Sequence, residues 1–237
     1  MSAKVSVIIP ALDEEAAIAG VVSGLRVDSV REVIVVDNGS HDRTAERASA
    51  AGARVVHQPE RGYGAACLAG IAALPPDTDL VVFADGDGSD DPASLPALLA
   101  PLLADTADMV VGSRVLGLAE PGSLAPAQRL GNWIAANWLR RRFGLHATDL
   151  GPFRAIRRSA LDALEMRDRD YGWTVEMQIK AARHGLRYKE VPVRYRRRLG
   201  RSKVSGTLRG TLGAAYKIIG WLARHDSLAL RPSRTGS

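Results

Sequence analysis

Asp79-Leu80-Val81-Val82-Phe83-Ala84-Asp85-Gly86-Asp87 is the stretch on which the fold turns. Its apolar, β-branched run reads as a strand covered on both faces, the kind found in parallel sheets. It ends in two carboxylates, where such a strand meets solvent at its carboxyl end. Alternation along an extended chain points Asp85 and Asp87 to the same side, and Gly86 between them lets a bulky anion approach the backbone. Two hard oxygen ligands suit Mg²⁺ or Mn²⁺ carrying a diphosphate. A second reading is an acidic turn before a helix, because Ser89, Asp90, Asp91 and Pro92 suit caps and first turns. The stretch alone does not choose between them.

Outward from this strand, short apolar runs recur at Val5 to Ile9, Glu32 to Val36, Arg54 to His57 and Met109 to Gly112. Alanine- and leucine-rich segments separate them: Glu14 to Leu25, Asp42 to Ala51 with Ser40 as N-cap, Gly64 to Leu74, and Pro92 to Leu103. The rhythm predicts an α/β fold, a mostly parallel central sheet flanked by crossover helices. Ligands of open α/β sheets sit beyond the carboxyl ends of the strands, where Pro10 to Glu15, Asp37 to Ser40 and Asp85 to Asp87 all fall. Beyond residue 115 the pattern loosens. A Gly/Pro-bearing loop from Leu116 to Pro126 precedes a helix over Gln128 to Arg142, then Gly151 to Ile156, a helix from Tyr171 to His184 and a strand from Leu186 to Tyr195. One body over 1–205 is expected, with 1–115 and 116–205 as its halves, followed by an amphipathic helix and tail over 206–237.

The chain has 237 residues, 46% of them hydrophobic, enough for a full core rather than disorder. Lys+Arg 32 against Asp+Glu 26 gives a net charge of +6, which favours anionic partners without choosing among nucleotides, nucleic acid and membrane. The single cysteine, Cys67, excludes an intrachain disulfide and a multi-cysteine zinc site; it reads as a helix-packing residue, and a cytoplasmic setting is the easiest fit. The apolar stretch Val5 to Pro10 is too short for a signal sequence. Leu208 to Leu230, the longest candidate span, is interrupted by Arg209, Lys217 and Arg224, so spanning is not expected, whereas its apolar face suits a membrane surface, the catalytic body or a partner subunit.

Taken in order, Val7-Ile8-Ile9-Pro10-Ala11-Leu12-Asp13-Glu14-Glu15, Val35-Val36-Asp37-Asn38-Gly39-Ser40 with Asp42 and Thr44, and Asp85-Gly86-Asp87 resemble the family 2 glycosyltransferases of GT-A fold. Gly112-Ser113-Arg114, Asp149-Leu150-Gly151-Pro152-Phe153-Arg154, and Arg197 with Gly200, Ser202 and Lys203 extend the resemblance to the polyprenyl-phosphate sugar synthases, similar to dolichyl-phosphate mannose and glucose synthases. It spans roughly residues 4 to 210. The resemblance implies transfer of glucose or mannose, with inversion, from a UDP- or GDP-linked donor to a polyprenyl phosphate, at or near the cytoplasmic membrane face. Residue by residue, Pro10, Leu12 and Glu14 would line the base and ribose side and Asp37 would bond the nucleoside. Asp85 and Asp87 would hold ribose or diphosphate and the metal, Mg²⁺ or Mn²⁺, with Asp87 the first choice for direct ligation. Asp13 stands where asparagine is usual, and Asn38 replaces a common second aspartate.

The basic groups divide between donor and acceptor. With the motif around it, Arg114 after its strand is expected to face a phosphate. The resemblance implies that Arg197, Ser202 and Lys203 belong to a mobile loop closing over the donor diphosphate and the acceptor phosphate, with Arg129 and Arg154 as further acceptor contacts. A phosphate acceptor is already an anion and needs no strong base; a hydroxyl acceptor would need one, and Asp149 is the candidate, with a salt-bridging role as its alternative. Arg61-Gly62-Tyr63-Gly64 reads as a turn outside the site. Trp173 is a core residue or lies near the acceptor, and no histidine is assigned to catalysis. A nucleotidyltransferase would want a glycine-rich loop where Ala11-Leu12-Asp13-Glu14 stands. A basic nucleic-acid module would leave the acidic loops without purpose, so no nucleic acid is expected; a soluble acceptor and an oligomer stay open.

Overall fold

The computed structural model of the chain describes residues 3–199. Its strands are β1 (Val5–Ala11), β2 (Val30–Asp37), β3 (Arg54–His57), β4 (Leu80–Phe83), β5 (Met109–Ala119), β6 (Arg154–Arg157) and β7 (Tyr188–Tyr195). Its helices are α1 (Ile18–Leu25), α2 (Thr44–Ala50), α3 (Tyr63–Ala72), α4 (Leu95–Leu103), α5 (Pro126–Phe143), α6 (Arg158–Leu164) and α7 (Trp173–Arg183). The strands form one seven-stranded sheet in the order β3-β2-β1-β4-β6-β5-β7. All its pairings are parallel except those of β6, which runs antiparallel to β4 and β5. The expected mostly parallel α/β sheet is what forms.

Period-two alternation explains why both faces are covered. Val7 and Ile9 of β1, Val35 of β2 and Val82 of β4 join the buried side chains of α1 and α4 in one cluster. Ile8, Ile34, Val36, Val81 and Phe83 point the other way, into a cluster with Ala66 and Cys67 of α3, Leu161 of α6 and Met177 of α7. Trp173 belongs to this second cluster, edge-on to Phe83 with ring centroids 5.9 Å apart, so it is a core residue and not an acceptor contact. A third cluster, with Leu139, Leu150 and Ile179, binds α5 to α7.

The boundaries move where local chemistry competes with periodicity. The first helix starts at Ile18 rather than Glu14, because residues 13–15 are held in a turn described below. Ser40 does not cap α2, which begins at Thr44 with no side-chain cap. Pro92–Ser94 form a short 3₁₀ turn ahead of α4, capped by Asp91, whose carboxylate accepts from the Ala93 amide at 3.1 Å. Residues 116–119, expected in a loop, continue β5 along β7 past an irregularity in register. Helix α6 was not anticipated. The amphipathic helix expected over 206–237, and Gly200, Ser202 and Lys203, lie outside the described residues.

Candidate active site

The carboxyl ends of β1, β2 and β4 open on a cleft of about 370 Å³ whose walls include Pro10, Leu12, Glu14, Asn38, Asp85 and Asp87. The β1 loop is fixed by its neighbour. The amides of Asp13, Glu14 and Glu15 donate to Ser40 Oγ at 2.9 Å, Thr44 Oγ1 at 2.7 Å and Asp42 Oδ2 at 3.1 Å. Asp13 has φ +47°, in the left-handed region that Asp and Asn tolerate better than other side chains. Its Oδ1 accepts the His41 amide at 2.6 Å.

Asn38 explains its own departure from aspartate. Its Nδ2 donates to the carbonyls of Gln58 at 2.9 Å and Glu60 at 2.6 Å, while Oδ1 accepts the Gly62 amide at 2.9 Å. A carboxylate cannot make the first two bonds. This tie brings Arg61, Gly62 and Tyr63 into the cleft wall, so the turn read as lying outside the site is part of it. Gly62 and Gly64 are required there. A Cβ on Gly64 would stand 2.1 Å from the Asp168 carbonyl, and one on Gly62, at φ +145°, 2.1 Å from that of Arg169. That close packing carries Asp170 and Tyr171 to the same cleft. Asp37 stands behind the wall, accepting the Ser40 amide at 3.2 Å and facing His57 Nδ1 at 3.3 Å.

Asp85, Asp87 and Asp90 form an acidic turn held together internally. Asp90 Oδ2 accepts the Asp85 amide at 3.1 Å, and Asp87 Oδ1 accepts the amide and hydroxyl of Ser89 at 2.9 and 2.5 Å. Burial first, and the Asp87 charge second, push the Asp85 carboxyl up to about 7. Burial and the Asp85 charge push Asp90 up as well, and its Oδ1 is buried without a hydrogen-bond partner. This concentration of enclosed negative charge is the environment a divalent cation relieves. Among the described residues no three His, Cys, Asp or Glu side chains group as a metal site, so Asp85 and Asp87 would hold a cation together with oxygens from a ligand.

The positive side comes from β7 and its continuation. Asp91 N donates to Arg194 O, Arg196 N to Ser89 O at 2.8 Å and Leu199 N to Asp87 O at 2.9 Å, so residues 194–199 are stitched to the acidic turn. Arg198, not singled out by sequence, thereby reaches Asp87 Oδ2 and forms an ion pair. Arg198 also lines a second cleft of about 480 Å³, sharing Tyr63, Asp85, Asp87 and Tyr171 with the first, and walled by Arg114 and Arg197.

Two expectations are corrected. Arg154 is 1% exposed, and its guanidinium donates to the carbonyls of Leu150, Gly151 and Thr174, so it braces the 149–154 turn instead of meeting an acceptor phosphate. Asp149 is also 1% exposed. It receives Arg114 N at 2.8 Å, Nε at 2.7 Å and a terminal guanidinium nitrogen at 2.6 Å, which makes it the anchor of Arg114 rather than a free base. Arg114 in turn lies over the Tyr195 ring at 5.0 Å and lines the second cleft. Arg197 is exposed there, its Nε donating to Pro121 O at 2.8 Å. Arg129 lines a neighbouring groove between β5 and α5.

The family model described as Glycosyl transferase family 2 matches residues 6–165. An uncharacterized glycosyltransferase of Mycobacterium tuberculosis (strain H37Rv) is 40% identical over 221 residues, covering 91% of this chain and 97% of its own. An undecaprenyl-phosphate mannosyltransferase of Micrococcus luteus is 33% identical, covering 96% of this chain and 98% of its own. Among solved structures, glucosyl-3-phosphoglycerate synthase from Mycobacterium tuberculosis, in complex with Mn²⁺, UDP-glucose and phosphoglyceric acid, superposes with a TM-score of 0.77 at 28% identity. That match covers 99% of this chain and 83% of that one. Acidic strand tips facing a basic strand extension on a GT-A sheet, with a match to the family over most of that sheet, make this chain an enzyme that belongs to glycosyl transferase family 2.

Proposed function

We propose that the enzyme transfers glucose or mannose, with inversion, from a UDP- or GDP-linked donor to a polyprenyl phosphate, using Mg²⁺ or Mn²⁺. The observation that carries the acceptor half is the second cleft. It is walled by Arg114, Arg197 and Arg198, and among the described residues its lining holds no carboxylate besides Asp85 and Asp87. A phosphate oxygen is an anion at neutral pH and attacks without a base, provided cations position it. A hydroxyl acceptor would need a proton acceptor, and Asp149, the one considered for it, is tied to Arg114 on both oxygens.

The donor's base and ribose fit the first cleft, along Pro10, Leu12 and Glu14, with its diphosphate toward Asp85 and Asp87. A divalent cation held by those two carboxylates would neutralise the departing nucleoside diphosphate. Arg198, on the wall common to both clefts, and Arg197 bring fixed positive charge to the same region, where it acts on charge developing at the leaving group. Attack from the second cleft, opposite the departing group, inverts the anomeric centre.

The surface beside the second cleft suits a lipid substrate. Val115, Leu116, Leu118, Leu130, Trp133 and Ile134, all large apolar residues, are exposed on the end of β5 and on α5. No helix among the described residues is long and apolar enough to cross a membrane, so the attachment proposed is peripheral. The Micrococcus luteus relative is by name an undecaprenyl-phosphate mannosyltransferase, which supports this acceptor class. The mycobacterial synthase was crystallised with phosphoglyceric acid, and so a soluble phosphorylated acceptor is the second reading.

One panel separates the two: UDP- and GDP-glucose and -mannose, each with undecaprenyl phosphate in detergent or with 3-phosphoglycerate, in Mn²⁺ or Mg²⁺. Sugar transfer to the lipid phosphate, abolished by chelation, is expected. Transfer to 3-phosphoglycerate alone would overturn the lipid assignment, and transfer undiminished by chelation would overturn the metal.

A further inference from the structure

We infer that Arg198 and a divalent cation compete for the same oxygen of Asp87, which makes Arg198 the residue that couples metal loading to donor binding. The inference rests on the metal and donor reading above and adds a role for a side chain that the sequence motifs do not single out.

The geometry leaves little alternative. Asp87 Oδ1 is occupied by the Ser89 amide and hydroxyl, which set the shape of the turn. Its Oδ2 carries the Arg198 guanidinium. A cation ligated by Asp87 through Oδ2 therefore approaches the oxygen that Arg198 holds and opposes the guanidinium charge there, because using Oδ1 would break the turn that presents the carboxylate. Displacement involves the side chain only. The backbone of residues 194–199 is fixed to residues 87–91 by Asp91 N to Arg194 O, Arg196 N to Ser89 O and Leu199 N to Asp87 O.

A displaced guanidinium has a defined destination. The Arg198 side chain is 33% exposed and borders both clefts, so from a fixed backbone it swings over either one. The cation brings two positive charges to the Asp85, Asp87 and Asp90 cluster, and the released arginine needs a new anion. A nucleoside diphosphate arriving with the metal supplies it, in the planar geometry guanidinium favours. Metal alone meets a competitor; metal and diphosphate together recruit the competitor as a ligand contact. The two ligands then bind with positive coupling, each raising affinity for the other by the same factor.

The test measures Mn²⁺ binding by the loss of the free-ion paramagnetic signal, first with Mn²⁺ alone and then with UDP or GDP present. Wild type, Arg198→Ala, Arg198→Lys and Asp87→Asn, which keeps the acceptor for Ser89, are compared. In Arg198→Ala, affinity for Mn²⁺ alone rises on the order of tenfold, while nucleotide affinity in saturating Mn²⁺ falls on a similar scale, the effect of one part-buried charge pair. Arg198→Lys recovers part of both, which a merely structural role would not produce. Unchanged or weaker Mn²⁺ binding in Arg198→Ala, with binding lost in Asp87→Asn, overturns the coupling and leaves the metal reading standing. Mn²⁺ binding unaffected by Asp87→Asn overturns both.

Discussion

At the scale of single residues, Asp87 does two jobs that a test must separate. It is 3% exposed and its Oδ1 organises Ser89, so alanine there would remove both the charge and the acceptor that shapes the turn. Asp87→Asn keeps that acceptor and removes the charge. Its turnover is expected to fall by at least ~10²-fold, the scale of losing one electrostatic stabiliser of a leaving group. Its melting temperature should stay within a few degrees of wild type, and turnover above a tenth of wild type would remove Asp87 from catalysis. Asn38 makes the converse case. Asn38→Asp sets a carboxylate against the carbonyls of Gln58 and Glu60, costing about 1–3 kcal/mol for the lost donors. The expected result is a lower melting temperature and a raised donor KM with less change in kcat, since the wall at Arg61 to Tyr63 loosens; equal KM would show that the wall does not need this tie. Asp85 and Asp87 were legible in the sequence as a carboxylate pair around a glycine just past an apolar strand, although β4 ends at Phe83 and a turn, not strand alternation, places them. Arg198 was not, since within a run of arginines only the backbone pairing with Asp87 to Asp91 distinguishes one from the next. Asp149 and Arg154 misled because a motif position carries chemistry or scaffolding alike, and burial decides between them.

At the scale of elements, β1, β2 and β4 were legible because the apolar runs that mark them are buried on both faces, while β3, a half-exposed edge strand, was legible from its short β-branched pair Val55-Val56. The helix starts were not: the amides of residues 13–15 go to side chains of the next loop rather than to a helical turn, a long-range choice that no local pattern records. The far end of the sheet adds a pH-dependent fastening. Arg187 donates to Asp108 Oδ2 at 3.0 Å and Oδ1 at 2.7 Å and to Asp105 Oδ1 at 2.7 Å, joining the start of β7 to the start of β5. The hydrogen bond from Arg187 holds the carboxyls of Asp108 and Asp105 below their usual values. A depressed carboxyl contributes stability that is complete above its unfolded pKa, about 3.9, and is lost as pH falls through the folded value. Thermal melts from pH 7 to pH 3 should therefore show an acid limb that is shallower in Arg187→Gln. Parallel curves would mean that these exposed pairs contribute nothing measurable, as surface pairs often do.

At the scale of the whole molecule, the lipid acceptor proposed above would require this sheet to meet a bilayer, and helix α5 supplies a geometry for it. Successive helical residues turn by about 100°, so Arg129, Leu130, Trp133, Ile134, Arg140 and Arg141 share one outward arc, opposite the buried Ala135 and Leu139. Leu130 is 59% and Trp133 62% exposed, and the helix contains four arginines and no acidic residue. Tryptophan favours the bilayer interface, and each arginine near an anionic surface adds about 1 kcal/mol. The arc lies beside the groove that Arg129 and Arg114 line, and Arg114 also walls the cleft proposed for the acceptor phosphate, so docking this face would bring a lipid headgroup toward the reacting centre. Vesicles of phosphatidylglycerol and phosphatidylcholine test the arrangement by co-sedimentation. Wild type should bind the anionic vesicles with affinity that falls as salt rises. Leu130→Ser with Trp133→Ser should weaken binding at every salt concentration, and Arg140→Gln with Arg141→Gln should flatten the salt dependence, both without lowering transfer to a short-chain, water-soluble polyprenyl phosphate. Binding that neither pair alters would move the membrane contact off α5, and self-association lost in the serine variant would identify the arc as an interface between copies of the chain.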